Sequence, residues 1–188
     1  FYGCAKLSTL AIPEKVTEIG SYAFRKCTGL QSVSFPSSLR TIGESSFYGD
    51  TSLKNLIIPE GVTVIDGYAF KSCTNVQDIA LPETLQKIGD SAFYGMDGIS
   101  LIEIPANVTS VGGYAFSRCY NLSTVVFTGN APAFGAGAFS NVRADVYYPS
   151  GNATWTTDVR QNYGGTLRWF NDTEVASVET ADAGTSVE

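Results

Sequence analysis

The stretch 27–50, "CTGLQSVSFPSSLRTIGESSFYGD", sets out one unit of a repeating structure. Leu30, Val33 and Phe35 carry the spacing L-x-x-L-x-L. Val33 and Phe35 alternate about Ser34, so both point to the same side of a strand. Pro36 stops that strand because it brings no ladder donor. Leu39 and Ile42 form a second apolar pair at a step of three, and Gly43 permits a turn. Phe47 closes the unit. With the Ala23–Phe24 pair one unit earlier, it is expected in a tight or single-turn helical segment that plugs the coil from its convex side.

Working outward, the unit recurs. Phe24, Phe47, Phe70, Phe93, Phe116 and Phe139 are spaced 23 residues apart. Pro13, Pro36, Pro59, Pro82 and Pro105 keep the same step, as do Ile19, Ile42, Ile65, Ile88 and Val111. A fixed period of this length signals a solenoid in which each coil stacks on the last. No coil of 23 residues can bury its own apolar side, so neighbours supply the walls and their strands pair in parallel.

The pattern L-x-x-V-x-F-P-x-x-L-x-x-I-G-x-x-x-F-x-x-C resembles the BspA-like leucine-rich repeats. It departs from ordinary leucine-rich repeats, since Pro follows the apolar block and Cys precedes it. The resemblance implies a β-rich solenoid, a right-handed leucine-rich repeat coil with a parallel β-sheet, 23-residue repeats and a C-terminal cap. Residues 1–126 are expected to be the repeats, with the first coil truncated because Phe1 falls in mid-pattern. The chain is therefore expected to be a piece of a longer protein, with an unpaired edge at that end. Residues 127–170 are expected to hold a degenerate last repeat and the cap, with Trp155, Tyr163, Trp169 and Phe170 as bulky cover. Residues 171–188, "NDTEVASVETADAGTSVE", carry five acids and no base, and read as an acidic linker or tail.

Composition narrows the function. The net charge is −6, but outside that tail 12 basic residues face 13 acidic ones. Such a body lacks the positive stripe that nucleic acid or an anionic membrane needs. No apolar run is long enough to span a bilayer. The chain has no histidine, which excludes Ser-His-Asp and Cys-His catalysis and histidine-ligated metal sites. No glycine-rich phosphate loop is present, and no cofactor or metal is expected. Cys4, Cys27, Cys73 and Cys119 share one repeat position, where Asp50 and Met96 stand in the other coils. The expected arrangement is a column of small buried side chains, with a Cys4–Cys27 bridge left open.

Two surfaces are candidates for binding. Outward strand positions form the concave face, where Asn55, Ile57, Asp78, Leu101 and Glu103 lie in two columns. Asp78 and Glu103 fall at a spacing compatible with paired glycosidase carboxylates, but an open sheet offers no pocket to raise a pKa. The second candidate is a tyrosine column on the convex side. Tyr22, Tyr68 and Tyr114 precede their Phe by two residues, while Tyr48 and Tyr94 follow theirs directly. The expectation is a zig-zag column in which each ring fills the slot its neighbour leaves empty. Packing is the plain explanation, and an aromatic strip for sugars or peptides is the sharper one.

The resemblance implies a secreted or cell-surface protein without catalysis. It would act as an adhesion module for host extracellular-matrix or other surface proteins, and for glycans as a lesser alternative. A structural spacer that presents other domains is the competing reading.

Overall fold

The computed structural model describes residues 1–173. The acidic tail expected from 171 onward lies almost wholly outside the described residues. Each coil contributes two short strands. They are β1 (Thr9–Ala11) and β2 (Glu18–Ile19), then β3 (Ser32–Ser34) and β4 (Thr41–Ile42), then β5 (Asn55–Ile57) and β6 (Val64–Ile65). The series continues with β7 (Asp78–Ala80) and β8 (Lys87–Ile88), β9 (Leu101–Ile104) and β10 (Ser110–Val111), and β11 (Thr124–Phe127) and β12 (Ala133–Phe134). β13 (Arg143–Tyr148) and β14 (Thr166–Asn171) end the described chain.

All pairings are parallel and in repeat register, as in Thr9↔Ser32 and Ile42↔Ile65. The odd-numbered strands with β14 line the concave face. Their ladder falls into three runs: β1–β3, β5–β7 and β9–β11–β13–β14. The even-numbered strands β2 to β12 form one continuous six-stranded sheet. Sequence reading gave the step-of-three pairs such as Leu39/Ile42 no strand. Two residues are too few to show alternation, and only lateral pairing reveals them.

The Phe spine lies inside. Phe47, Phe70, Phe93, Phe116 and Phe139 are wholly buried, and Phe24 nearly so. From Phe1 to Phe139 successive rings stack at centroid distances of 5.3–5.9 Å, with interplanar angles of 4–16°. Burial of a large apolar ring and offset stacking therefore act on the same side chain.

The convex segment is a run of tight turns rather than a helical turn. Residues two before and two after each Phe have left-handed φ, for example Tyr22 (62°) with Lys26 (60°) and Ser45 (52°) with Gly49 (79°). The backbone N–H groups alternate between two partners. Tyr22, Phe24 and Lys26 donate to the next coil at Glu44, Ser46 and Tyr48 carbonyls (2.8–2.9 Å). Ala23, Arg25 and Cys27 donate within the turn, to the carbonyls three residues back (3.1–3.3 Å). This third ladder satisfies a convex backbone that regular structure would otherwise have to cover.

The glycine after Ile or Val has another cause than turn freedom. A Cβ on Gly89 would lie 2.5 Å from Gly67 N, and one on Gly112 2.5 Å from Asp90 N. Neither needs positive φ. The coils approach here so closely that only hydrogen fits.

At the C-terminal end Trp155 is buried, with its ring 4.8 Å from Phe127 and 5.7 Å from Trp169. Tyr163 packs on Phe134 at 4.4 Å. Trp155 Nε1 donates to the Gly129 carbonyl (3.0 Å), so the indole covers the last coil without orphaning its N–H. Phe170 does not join this cover. Alternation along β14 turns Leu167 and Trp169 inward and Phe170 outward, onto Tyr147 at 5.6 Å.

Candidate functional site

The cysteine column forms as expected. Cys27, Cys73 and Cys119 are buried, Cys4 is exposed, and all four thiols are free. Each buried Sγ donates to a Phe carbonyl of the preceding coil, at Phe1, Phe47 and Phe93 (3.1–3.2 Å). Burial pushes all three thiols up in pKa. They are packing groups with a weak hydrogen bond, far from the exposed thiolate that reactivity needs.

On the concave face the register places the candidates as two columns. Asn55 pairs beside Asp78, and Ile57 beside Ala80; Leu101 pairs beside Thr124, and Glu103 beside Val126. Asn55, Ile57, Asp78, Leu101 and Glu103 are all exposed, with Ile57 at 71% and Leu101 at 52%. With its amide oriented to satisfy both neighbours, Asn55 donates to Lys54 O (3.0 Å) and Asp78 Oδ2 (3.3 Å). The columns run further than the sequence reading took them. Val126 pairs with Tyr147 and Tyr147 with Phe170, while Thr124 leads to Asp145 and Arg168. Arg168 grips Asp145 with two bonds of 2.6 Å. The C-terminal concave face thus carries Val126, Tyr147 and Phe170 as an apolar column flanked by an ion pair.

On the convex side the tyrosine alternation holds, but cations fill the gaps between rings. The position after Phe reads Arg25, Tyr48, Lys71, Tyr94. The Arg25 guanidinium lies 4.5 Å from the Tyr48 centroid and 5.6 Å from that of Tyr22. Lys71 Nζ lies 4.4 Å from Tyr94, 5.2 Å from Tyr68 and 5.8 Å from Tyr48. Arg118 continues the series at 5.7 Å from Tyr94. Such contacts contribute about 0.5–1 kcal/mol each at exposed sites. Tyr48 and Tyr94 are half-buried by them, whereas Tyr22, Tyr68 and Tyr114 remain exposed. A recess of 260 Å³ opens between Tyr22 and Tyr68, with Arg25, Glu44, Tyr48 and Lys71 in its walls.

Among the described residues no group of three or more Cys, Asp or Glu is placed to hold a metal ion. No helix is long and apolar enough to cross a membrane.

The family pattern described as BspA type Leucine rich repeat region matches six copies, over residues 1–122 and 44–154. No curated protein is significantly similar in sequence. Among solved structures, a leucine-rich repeat protein from Bacteroides ovatus ATCC 8483 is similar, with 28% identity and a TM-score of 0.71. That match covers 87% of this chain and 43% of that one, so the chain spans less than half of its relative. The T. pallidum Leucine Rich Repeat protein is similar at 29% identity and a TM-score of 0.66, covering 72% of this chain and 77% of that one. Repeat register, stacked spine, cysteine column and family pattern coincide over the same coils, and the chain belongs to the BspA-type leucine-rich repeat family.

Proposed function

We propose that the chain is a non-catalytic interaction module of a secreted or cell-surface protein, binding host extracellular-matrix or other surface proteins through its concave face. Solenoids of this kind are generally used for protein interaction, and their concave side is the extended surface available for it. The observation that carries the reading is the exposure of Ile57 and Leu101 on rigid strands, beside the polar Asn55, Asp78 and Glu103. Apolar groups held out of the core by strand alternation, with a polar surround, have the composition of a protein-binding patch. The outward Tyr147–Phe170 pair extends it with aromatic area suited to an anchor role.

The test is a binding screen against immobilised matrix proteins by biolayer interferometry, repeated with Ile57→Glu/Leu101→Glu. A partner whose binding drops at least tenfold with this variant supports the reading. Binding to none of the matrix proteins, or binding insensitive to the concave substitutions, overturns it. The first of those results leaves the spacer reading, which the uninterrupted Phe stack would serve mechanically.

A further inference from the structure

The convex ridge repeats with a longer period than the coil. Tyr22, Tyr68 and Tyr114 occupy one position in every second coil, which sets them about 10 Å apart along the axis at the spacing of parallel strands. Their rings are 43%, 39% and 52% exposed. None belongs to the hydrophobic core or to the half-buried groups packed against it. Each also sits at left-handed φ, 62°, 58° and 56°, a region that bulky side chains rarely adopt. Serine takes the same position in the intervening coils at Ser45 and Ser91, so the turn does not need a ring there. A strained, exposed aromatic repeated at a fixed interval points to a ligand surface rather than to packing.

The flanks are of opposite sign. On one side Glu44, Asp66 and Asp90 accept from Tyr22 Oη (3.2 Å), Gly67 N (2.9 Å) and Gly113 N (2.7 Å), each through one oxygen. On the other side stand Arg25, Lys71 and Arg118, held against tyrosine faces with their outer N–H groups free for solvent. Three acids against three bases leave the ridge near neutral, which is unsuited to a polyanion. It suits a ligand rich in hydroxyls, each of which both donates and accepts. The recess between Tyr22 and Tyr68 continues into a larger groove of 480 Å³ that shares Glu44 and Tyr68 and has Gly89 and Gly112 in its lining.

We infer that the convex ridge is a binding site for an extended, neutral β-linked polysaccharide lying along the solenoid axis. One exposed tyrosine stacks under every second sugar. The two-coil interval matches the rise of one disaccharide in such a chain, so three tyrosines address about six sugars. The repeat of the protein and the repeat of the polymer are then commensurate. Each contact is weak and affinity grows with length, because later sugars bind as tethered ligands. The site is separate from the concave face, so neither reading depends on the other.

Isothermal titration calorimetry of the full chain with cellobiose, cellotetraose and cellohexaose tests this. Affinity is expected to rise at least tenfold from the disaccharide to the hexasaccharide. Tyr22→Ala/Tyr68→Ala/Tyr114→Ala is expected to lose at least tenfold for the hexasaccharide with an unchanged circular-dichroism spectrum. The corresponding Phe variant keeps the stacking faces and is expected to retain most of the affinity. No response to millimolar hexasaccharide overturns the proposal. So does affinity that is independent of length, binding unchanged in the triple Ala variant, or a ridge that takes heparin or an extended peptide in place of these sugars.

Discussion

Asp50 Oδ1 accepts a hydrogen bond from the Cys27 backbone N–H at 2.8 Å, inside the column that buried cysteines and Met96 otherwise occupy. Its second oxygen, Oδ2, has no partner, and the residue is wholly buried. Burial pushes the carboxyl up to about 8, against the lowering effect of that hydrogen bond. In the unfolded chain the same group titrates near 3.8. Between those values the folded state holds a proton that the unfolded state has lost, so stability falls as pH rises. The loss is up to about 1.4 kcal/mol per pH unit inside the window. Thermal melts from pH 4.5 to 8 should therefore show the melting temperature declining relative to Asp50→Asn, with the gap widest at pH 8. Parallel profiles for the two proteins count against a buried titrating Asp50.

Phe70 stacks on Phe47 at 5.3 Å and on Phe93 at 5.9 Å, with no exposed surface. Phe70→Ala removes a ring that both neighbours lean on and leaves a void that cannot collapse without shifting the coils. The expected loss is about 3–5 kcal/mol. Phe24→Ala should lose less, because Phe24 stacks on Phe1, which is itself 75% exposed. Urea denaturation of both variants ranks them, and equal losses would contradict the graded spine.

The same glycine position predicts opposite signs in different coils. A Cβ on Gly112 would meet Asp90 N and Gly89 C at 2.5 Å, whereas one on Gly20 would meet nothing within 4 Å. Gly112→Ala should destabilise by about 1–3 kcal/mol, the range for overpacking a tight site. Gly20→Ala should be neutral or stabilise by up to about 1 kcal/mol, through the unfolded chain's entropy. Differential scanning fluorimetry of the pair checks the sign, and a shift of the same sign in both breaks the close-approach account.

Much of this fold was legible because every coil asks the same question of the same position. Six Phe in register need one slot repeated six times, and the strand columns followed from alternation alone. The even-numbered strands were not legible, since a two-residue strand such as β4 has no period to detect. The cations between tyrosines were present in the sequence as Arg25, Tyr48, Lys71, Tyr94, but they repeat at twice the coil length, so a 23-residue comparison passes over them. The outward Tyr147 was hidden by a change of phase. It pairs with Val126, 21 residues earlier, where the shortened coil breaks the period. Phe170 was read as cover because aromatics near the chain's end resemble a cap, yet strand alternation assigns Trp169 to that role and Phe170 to the surface.

Thiol chemistry provides the last prediction. Cys4 is exposed, while Cys27, Cys73 and Cys119 are wholly buried, and each of these three donates its S–H to a Phe carbonyl. The thiolate is the reacting form, and burial disfavours it at all three interior sites, most strongly at Cys73 where Asp50 adds a like charge when ionised. Titration of the native chain with a thiol-reactive disulfide reagent at pH 8 should label one cysteine quickly, and Cys4→Ser should abolish that phase. In denaturant all four should react. The three slow thiols then report coil opening, because each can be attacked only when its coil parts from the next. Fast labelling of two or more native thiols would show that the column is open to solvent and that its coils do not share a closed interior.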